Sequence, residues 1–111
     1  VMANDDASRT LVCDAAAVAG EAMWPMPLPE DLRPSIDSST ADLANIGDRF
    51  GGMLSAGIFL AEFVPAGQKW VHIDIAGPSF NDKGAYGYTP KGGTGSAVRT
   101  FAQVAKQLAA E

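Results

Sequence analysis

Histidine, cysteine and clustered positive charge are what this sequence has least of, and each scarcity closes a class of function. Eight Lys and Arg stand against 13 Asp and Glu, a net charge of −5. No basic group offsets that balance, so neither nucleic acid nor an anionic membrane is expected as a partner, because both recruit a basic patch. The lone cysteine, Cys13, cannot close an internal disulfide. In its Ala/Val-rich segment it reads as a small core hydrophobe suited to a reducing cytoplasm. Ser55, Ser79 and Ser96 each lack a G-x-S-x-G elbow and share one histidine, His72, so a serine hydrolase is not expected. Apolar runs stop far short of the ~18 residues that span a bilayer, and no charged-then-apolar leader opens the sequence. The expectation is a soluble, cytoplasmic protein.

What is present is enough apolar material for a core: 47% of 111 residues, the size of one small domain spanning 1–111. There is no internal repeat, low-complexity tract or linker. Asn4-Asp5-Asp6-Ala7 offers a cap and first-turn acids, and Leu11, Val12, Ala15, Val18 and Ala19 recur at helical spacing until Gly20, which predicts a helix over about 5–19. Met23 to Pro29 is apolar but broken by prolines, so any strand there is short and at an edge. Pro29-Glu30-Asp31 starts a brief helix with Leu32 and Ile36 on one face, cut short by Pro34. Asp37 to Thr40 is turn material, Ala41 to Ile46 a second extended piece, and Gly47 to Gly52 a flexible loop.

From Met53 to Val64 the apolar density predicts a helix covered on most sides, stopped by Pro65 and Gly67. Gly57 inside it lowers helicity by roughly 1 kcal/mol, so its use is close packing. Met53, Phe59 and Phe63 read as core or subunit interface. Trp70 to Ile75 is the best strand, opening through Ala76-Gly77-Pro78 into a long loop that feeds a last helix with Val98, Phe101, Val104, Ala105 and Leu108 as its apolar stripe. Helices alternating with extended pieces point to an α/β layered domain.

Two local patterns invite chemistry. His72 and Asp74 lie two apart on a strand, hence on one face with Trp70 and Ala76. They read as two metal ligands, as a base with its orienter, or as a half-buried polar pair anchoring the strand. Lys91-Gly92-Gly93-Thr94-Gly95-Ser96 precedes a helix, where backbone N–H groups attract anions. The lysine comes before the glycines, however, and neither phosphate-loop spacing is present. The glycines are better explained as positive-φ positions on the way into the last helix, with a weak carboxylate or anion site as the minority reading.

Several motifs in one order resemble the leucyl (cytosol) aminopeptidases, two-metal exopeptidases. They are A-D-L-A-N-I-G at 41–47, G-G-x-L-x-A-x-x-F-L-x-E-F-V at 51–64, W-x-H-x-D-I-A-G at 70–77, K-G-G-T-G at 91–95 and V-R-T at 98–100. The resemblance implies the C-terminal part of an α/β, phosphorylase/hydrolase-like catalytic domain. It implies an enzyme that removes N-terminal, Leu-like residues from peptides using two divalent ions, Mn or Zn, and that assembles as a hexamer. The N-T-D-A-E-G-R segment and the Lys-containing segments that hold those ions in the family are absent from these residues. The resemblance therefore assigns no metal ligand and no catalytic residue here, His72 and Asp74 included, and the upstream part of the same enzyme is the implied partner. Alone, the segment is expected to bind no metal and to be inactive.

What carries over is pocket wall. Ile46 matches the residue lining the pocket for the side chain after the scissile bond. Ala76 and Ser79 match residues lining the pocket for the N-terminal side chain. The family often has Met where Ser79 stands, which bears on the preference for an apolar side chain; Pro25 after Trp24 and Ser96-Ala97 before Val98 are smaller departures. The alternative from another class is a non-catalytic domain of this fold that binds peptide termini or a second subunit.

Overall fold

A computed structural model describes residues 1–110. Strand β1 (Met2–Ala3) leads into helix α1 (Asp6–Ala19), whose ends follow directly from its sequence. Asp5 has extended backbone and its side chain accepts from the Ser8 amide at 2.9 Å, satisfying one of the free N–H groups of the first turn. Gly20 ends the helix at φ 73°, and the amides of Gly20 and Glu21 turn back to the Ala17 and Ala16 carbonyls at 3.2 and 2.9 Å. A Cβ at Gly20 would meet nothing within 4 Å, so only the backbone opposes a side chain there. Gly20→Ala is expected to lower stability by ~1 kcal/mol, the left-handed penalty, seen as a drop of a few degrees in Tm.

Residues 23–29 form no strand, but Val1 lies against them: its nitrogen donates to the Trp24 carbonyl at 2.7 Å and its carbonyl accepts from Met26 at 2.8 Å. A 3-10 helix (Glu30–Ile36) follows and buries Ile36. The extended piece expected over 41–46 is not a strand. The Ser38 hydroxyl accepts from the amides of Thr40 and Ala41 at 3.2 and 3.0 Å, and this local capture of the backbone competes with ladder formation.

Helix α2 (Gly52–Ala61) ends three residues earlier than the apolar pattern predicts, relaxing into i→i−3 bonds at Phe63 and Val64 before Pro65. Gly57 does serve close packing. A Cβ there would stand 2.8 Å from Met2 Sδ and 3.1 Å from Leu28 Cδ2. Met53 and Phe63, expected in core or interface, are 39% and 67% exposed on this chain.

Of the strand expected over 70–75, only β2 (Val71–His72) is laddered. It pairs antiparallel with β1, Met2 opposite His72 and Ala3 opposite Val71. The pairing is extended by Asn4, whose amide donates to the Trp70 carbonyl at 3.2 Å and whose Oδ1 accepts from the Trp70 amide at 2.9 Å. A ladder is only as long as its shorter member, and β1 has two residues. Val1, Met2 and Ala3 are consequently buried on both flanks. A second antiparallel pair joins β3 (Phe80–Asn81) to β4 (Gly92–Gly93), placing Phe80 opposite Gly93.

Helix α3 (Val98–Leu108) packs chiefly on α1. Its apolar stripe is there as expected, yet Val98, Phe101 and Leu108 remain 63%, 58% and 54% exposed. With Leu11, Trp70 and Ile73, the lower part of that stripe lines an open apolar cleft of about 500 Å³. Helices and short strands interleave along the chain in an α/β arrangement, with two two-stranded pairs in place of one layered sheet among the described residues. No helix among them is long and apolar enough to cross a membrane.

Candidate functional site

The extended segment that follows β2 ends in a turn built by side chain and backbone together. Asp74 Oδ1 accepts from the Ala76 amide at 2.9 Å, the Ser79 amide donates to the Ile75 carbonyl at 2.9 Å, and the Ser79 hydroxyl donates to the Ala76 carbonyl at 3.4 Å. Ala76 and Ser79 are thus two parts of one hydrogen-bonded corner, Ala76 exposed and Ser79 half-buried. Ile46 sits in the 37–51 loop, 78% exposed. Of four surface clefts of about 500–670 Å³, none is lined by Ile46, Ala76 or Ser79. The far side of the corner borders one of about 550 Å³, lined among others by Gly77, Pro78, Phe80, Tyr88, Thr94 and Arg99.

His72 and Asp74 are engaged separately. Asp74 is committed to the Ala76 amide, and the imidazole of His72 stacks on Trp70 with ring centroids 6.1 Å apart. Among the described residues no three His, Cys, Asp or Glu side chains are grouped to hold a metal ion.

The glycine-rich segment takes the conformations its sequence requires, with φ of 97° at Gly92 and 70° at Gly95, followed by a non-glycine outlier, Ala97, also at 70°. The minority reading of this loop-to-helix junction, a weak carboxylate site, is met from within the chain. Glu21 Oε1 accepts from the Ala97 amide at 3.0 Å, and Oε2 from the Thr100 amide at 2.8 Å and the Thr100 hydroxyl at 2.6 Å. A carboxylate is thereby seated at the positive end of α3, where helix dipole and free amides both favour it. Burial pushes the Glu21 pKa up, but the donors from Thr100 and Ala97, with Arg99 nearby, outweigh it and hold the group below the ordinary carboxylate value.

Arg99 and Tyr88 close the same corner. The guanidinium lies 4.4 Å from the Tyr88 ring centroid and donates to its hydroxyl at 2.9 Å, while that hydroxyl donates to the Gly20 carbonyl at 3.1 Å. No sequence signal marked Glu21, since its partners lie 76 and 79 residues away. A cap of that kind is tertiary and has no local spacing to read.

The model of the cytosol aminopeptidase family catalytic domain matches residues 1–102. A probable cytosol aminopeptidase of Streptomyces coelicolor is 62% identical over 110 residues, covering 99% of this chain and 21% of that protein. One from Nocardia farcinica is 52% identical, covering 100% and 22%. Among solved structures, the bottromycin maturation enzyme BotP in complex with Mn superposes with a TM-score of 0.91 at 40% identity, over 96% of this chain and 24% of that one. A mutant tomato leucine aminopeptidase does so at 0.85 and 32%, over 96% and 20%. The chain spans about a fifth of the length of the curated relatives it matches. A match running from the first residue through the glycine-rich loop and into α3, with backbone agreement at this level, places the chain in the cytosol aminopeptidase family.

Proposed function

We propose that residues 1–111 form part of the substrate-pocket wall, and the packing behind it, of a metal-dependent aminopeptidase that removes Leu-like residues from peptide N-termini. In this reading Ala76 and Ser79 line the pocket for the N-terminal side chain, and Ile46 lines the pocket for the residue that follows. The observation that carries it is the family match over residues 1–102. The enzyme's two divalent ions, Mn or Zn, are held by polypeptide outside these residues and supply activation of water and polarisation of the scissile carbonyl when bound. The complete enzyme is proposed to act in the cytosol as a homo-oligomer, a hexamer as the resemblance implies.

The contribution of this chain is to bind and orient. Ser79 replaces a bulkier apolar residue, but its hydroxyl is engaged by the Ala76 carbonyl at 3.4 Å. The polarity is turned into the corner, and the wall stays compatible with an apolar side chain. The purified 111-residue chain is expected to show neither tight Mn or Zn binding by calorimetric titration nor turnover of a leucine amide chromogen. The longer polypeptide containing it should turn that substrate over in a metal-dependent way. There, Ala76→Phe, which narrows the pocket, should shift kcat/KM from Leu towards Ala substrates by about tenfold, the scale of a small steric change in an apolar pocket. Metal-dependent turnover by the 111-residue chain alone, or an unaltered Leu/Ala ratio, overturns the assignment.

A further inference from the structure

The pocket corner at 74–79 is held from behind by one side chain that no motif assigned to substrate. The Thr94 hydroxyl donates to the Pro78 carbonyl and accepts from the Ser96 amide at 3.3 Å, while the Thr94 amide donates to the Ser79 carbonyl at 3.0 Å. One residue thus bridges the end of the corner and the entry to α3, next to the pairing of Phe80 with Gly93. On the other side the entry is pinned through Ala97 and Thr100 to the Glu21 carboxylate. The path from Glu21 to Ala97, Thr94 and Pro78–Ser79 is continuous, and every link is a hydrogen bond or a short piece of backbone.

We infer that Thr94 is a positioning residue for the substrate pocket, fixing the placement of Ala76 and Ser79 without touching the peptide. This rests on the reading of those two residues as pocket wall. Because the wall meets the substrate equally in ground and transition states, a misplaced wall weakens binding and leaves the chemical step alone.

The test uses Thr94→Val, which keeps the shape and removes the hydroxyl, and Thr94→Ser, which restores it. In the 111-residue chain, amide exchange at Ala76 and Ser79 should speed up about tenfold in the valine variant and return to the wild-type rate in the serine variant, on the scale of one lost hydrogen bond. In the metal-loaded longer enzyme the valine variant should raise KM for a leucyl substrate about three- to tenfold, with kcat within about twofold, and serine should rescue it. Unchanged exchange at 76 and 79 overturns the inference whatever the enzyme does, as does a fall in kcat at constant KM. A wild-type longer enzyme inert towards leucyl substrates overturns instead the aminopeptidase reading, so the two failures are distinguishable.

Discussion

Glu21→Gln should lower the stability of this chain by about 2–3 kcal/mol at neutral pH and flatten the acid limb of its stability profile. The wild-type carboxylate accepts three hydrogen bonds from Ala97 and Thr100, and its side chain is 10% exposed. Bonds to a buried charged acceptor contribute roughly 1.5–3 kcal/mol each before coupling and desolvation reduce the sum. Glutamine keeps one acceptor oxygen but turns an NH₂ towards donors, leaving buried N–H or O–H groups unpaired. Arg99, 3.9 Å away and 44% exposed, adds little to the loss.

The pH dependence follows from the direction of the shift. The folded-state pKa of Glu21 lies below the ordinary 4.5, so its stabilisation is fully present above that value and is lost as pH falls from there through the lower folded pKa. Urea unfolding of both proteins from neutral to strongly acid pH should show the wild-type advantage shrinking across that window. Parallel curves with a constant gap would mean that the carboxylate charge is not what the helix end uses.

The second large effect is expected at Met2 and Gly57, which touch across the packing of α2 on β1. Met2 is fully buried, and Met2→Ala should be destabilising by ~3 kcal/mol, the loss expected for emptying a core site of that size. Gly57→Ala alone brings two opposed effects. Alanine favours the helix by ~1 kcal/mol, but its Cβ would stand 2.8 Å from Met2 Sδ inside a packed region. Overpacking of this kind costs about 1–3 kcal/mol. The single variant should therefore be less stable by ~1 kcal/mol. In the Met2→Ala background the sulfur is gone, and Leu28 at 3.1 Å needs to yield only a few tenths of an ångström. The same Gly57→Ala change should there become stabilising. Denaturant midpoints of the four proteins give a coupling of at least ~1 kcal/mol if the contact is real. Simple additivity would remove Gly57 from the packing argument.

The legible and illegible parts of this chain divide by the range of the interactions involved. Helix α1 was readable end to end, because its cap at Asp5 and its stop at Gly20 act within four residues. Gly92 and Gly95 were readable as conformational, since the demand for positive φ sits on the residue itself, whereas Gly93 is an ordinary member of β4. The strand over 70–75 was overestimated, because a strand's length belongs to the pair and β1 offers two residues, too few to show a period. The extended piece at 41–46 failed for the opposite reason, a local one: Ser38 holds the preceding backbone in a turn.

The site divides the same way. Ile46, Ala76 and Ser79 came from motif resemblance, and the structure joins only Ala76 with Ser79 in one turn. The His72–Asp74 spacing was visible, but the partners of the two side chains were not, since these are the Trp70 ring and the Ala76 amide.

The sequence by itself determined helix α1 with its caps, the approximate places of α2 and α3, the positive-φ glycines and, through linked motifs, the family. All of these are written in neighbouring residues or in an order of short words. Only the tertiary structure decided that Glu21 caps α3, that Met2 fills the space Gly57 leaves, and that the apolar stripe of α3 stays largely uncovered by this chain. Each of those depends on which distant surfaces meet, and pairings across more than fifty residues leave no period or spacing behind.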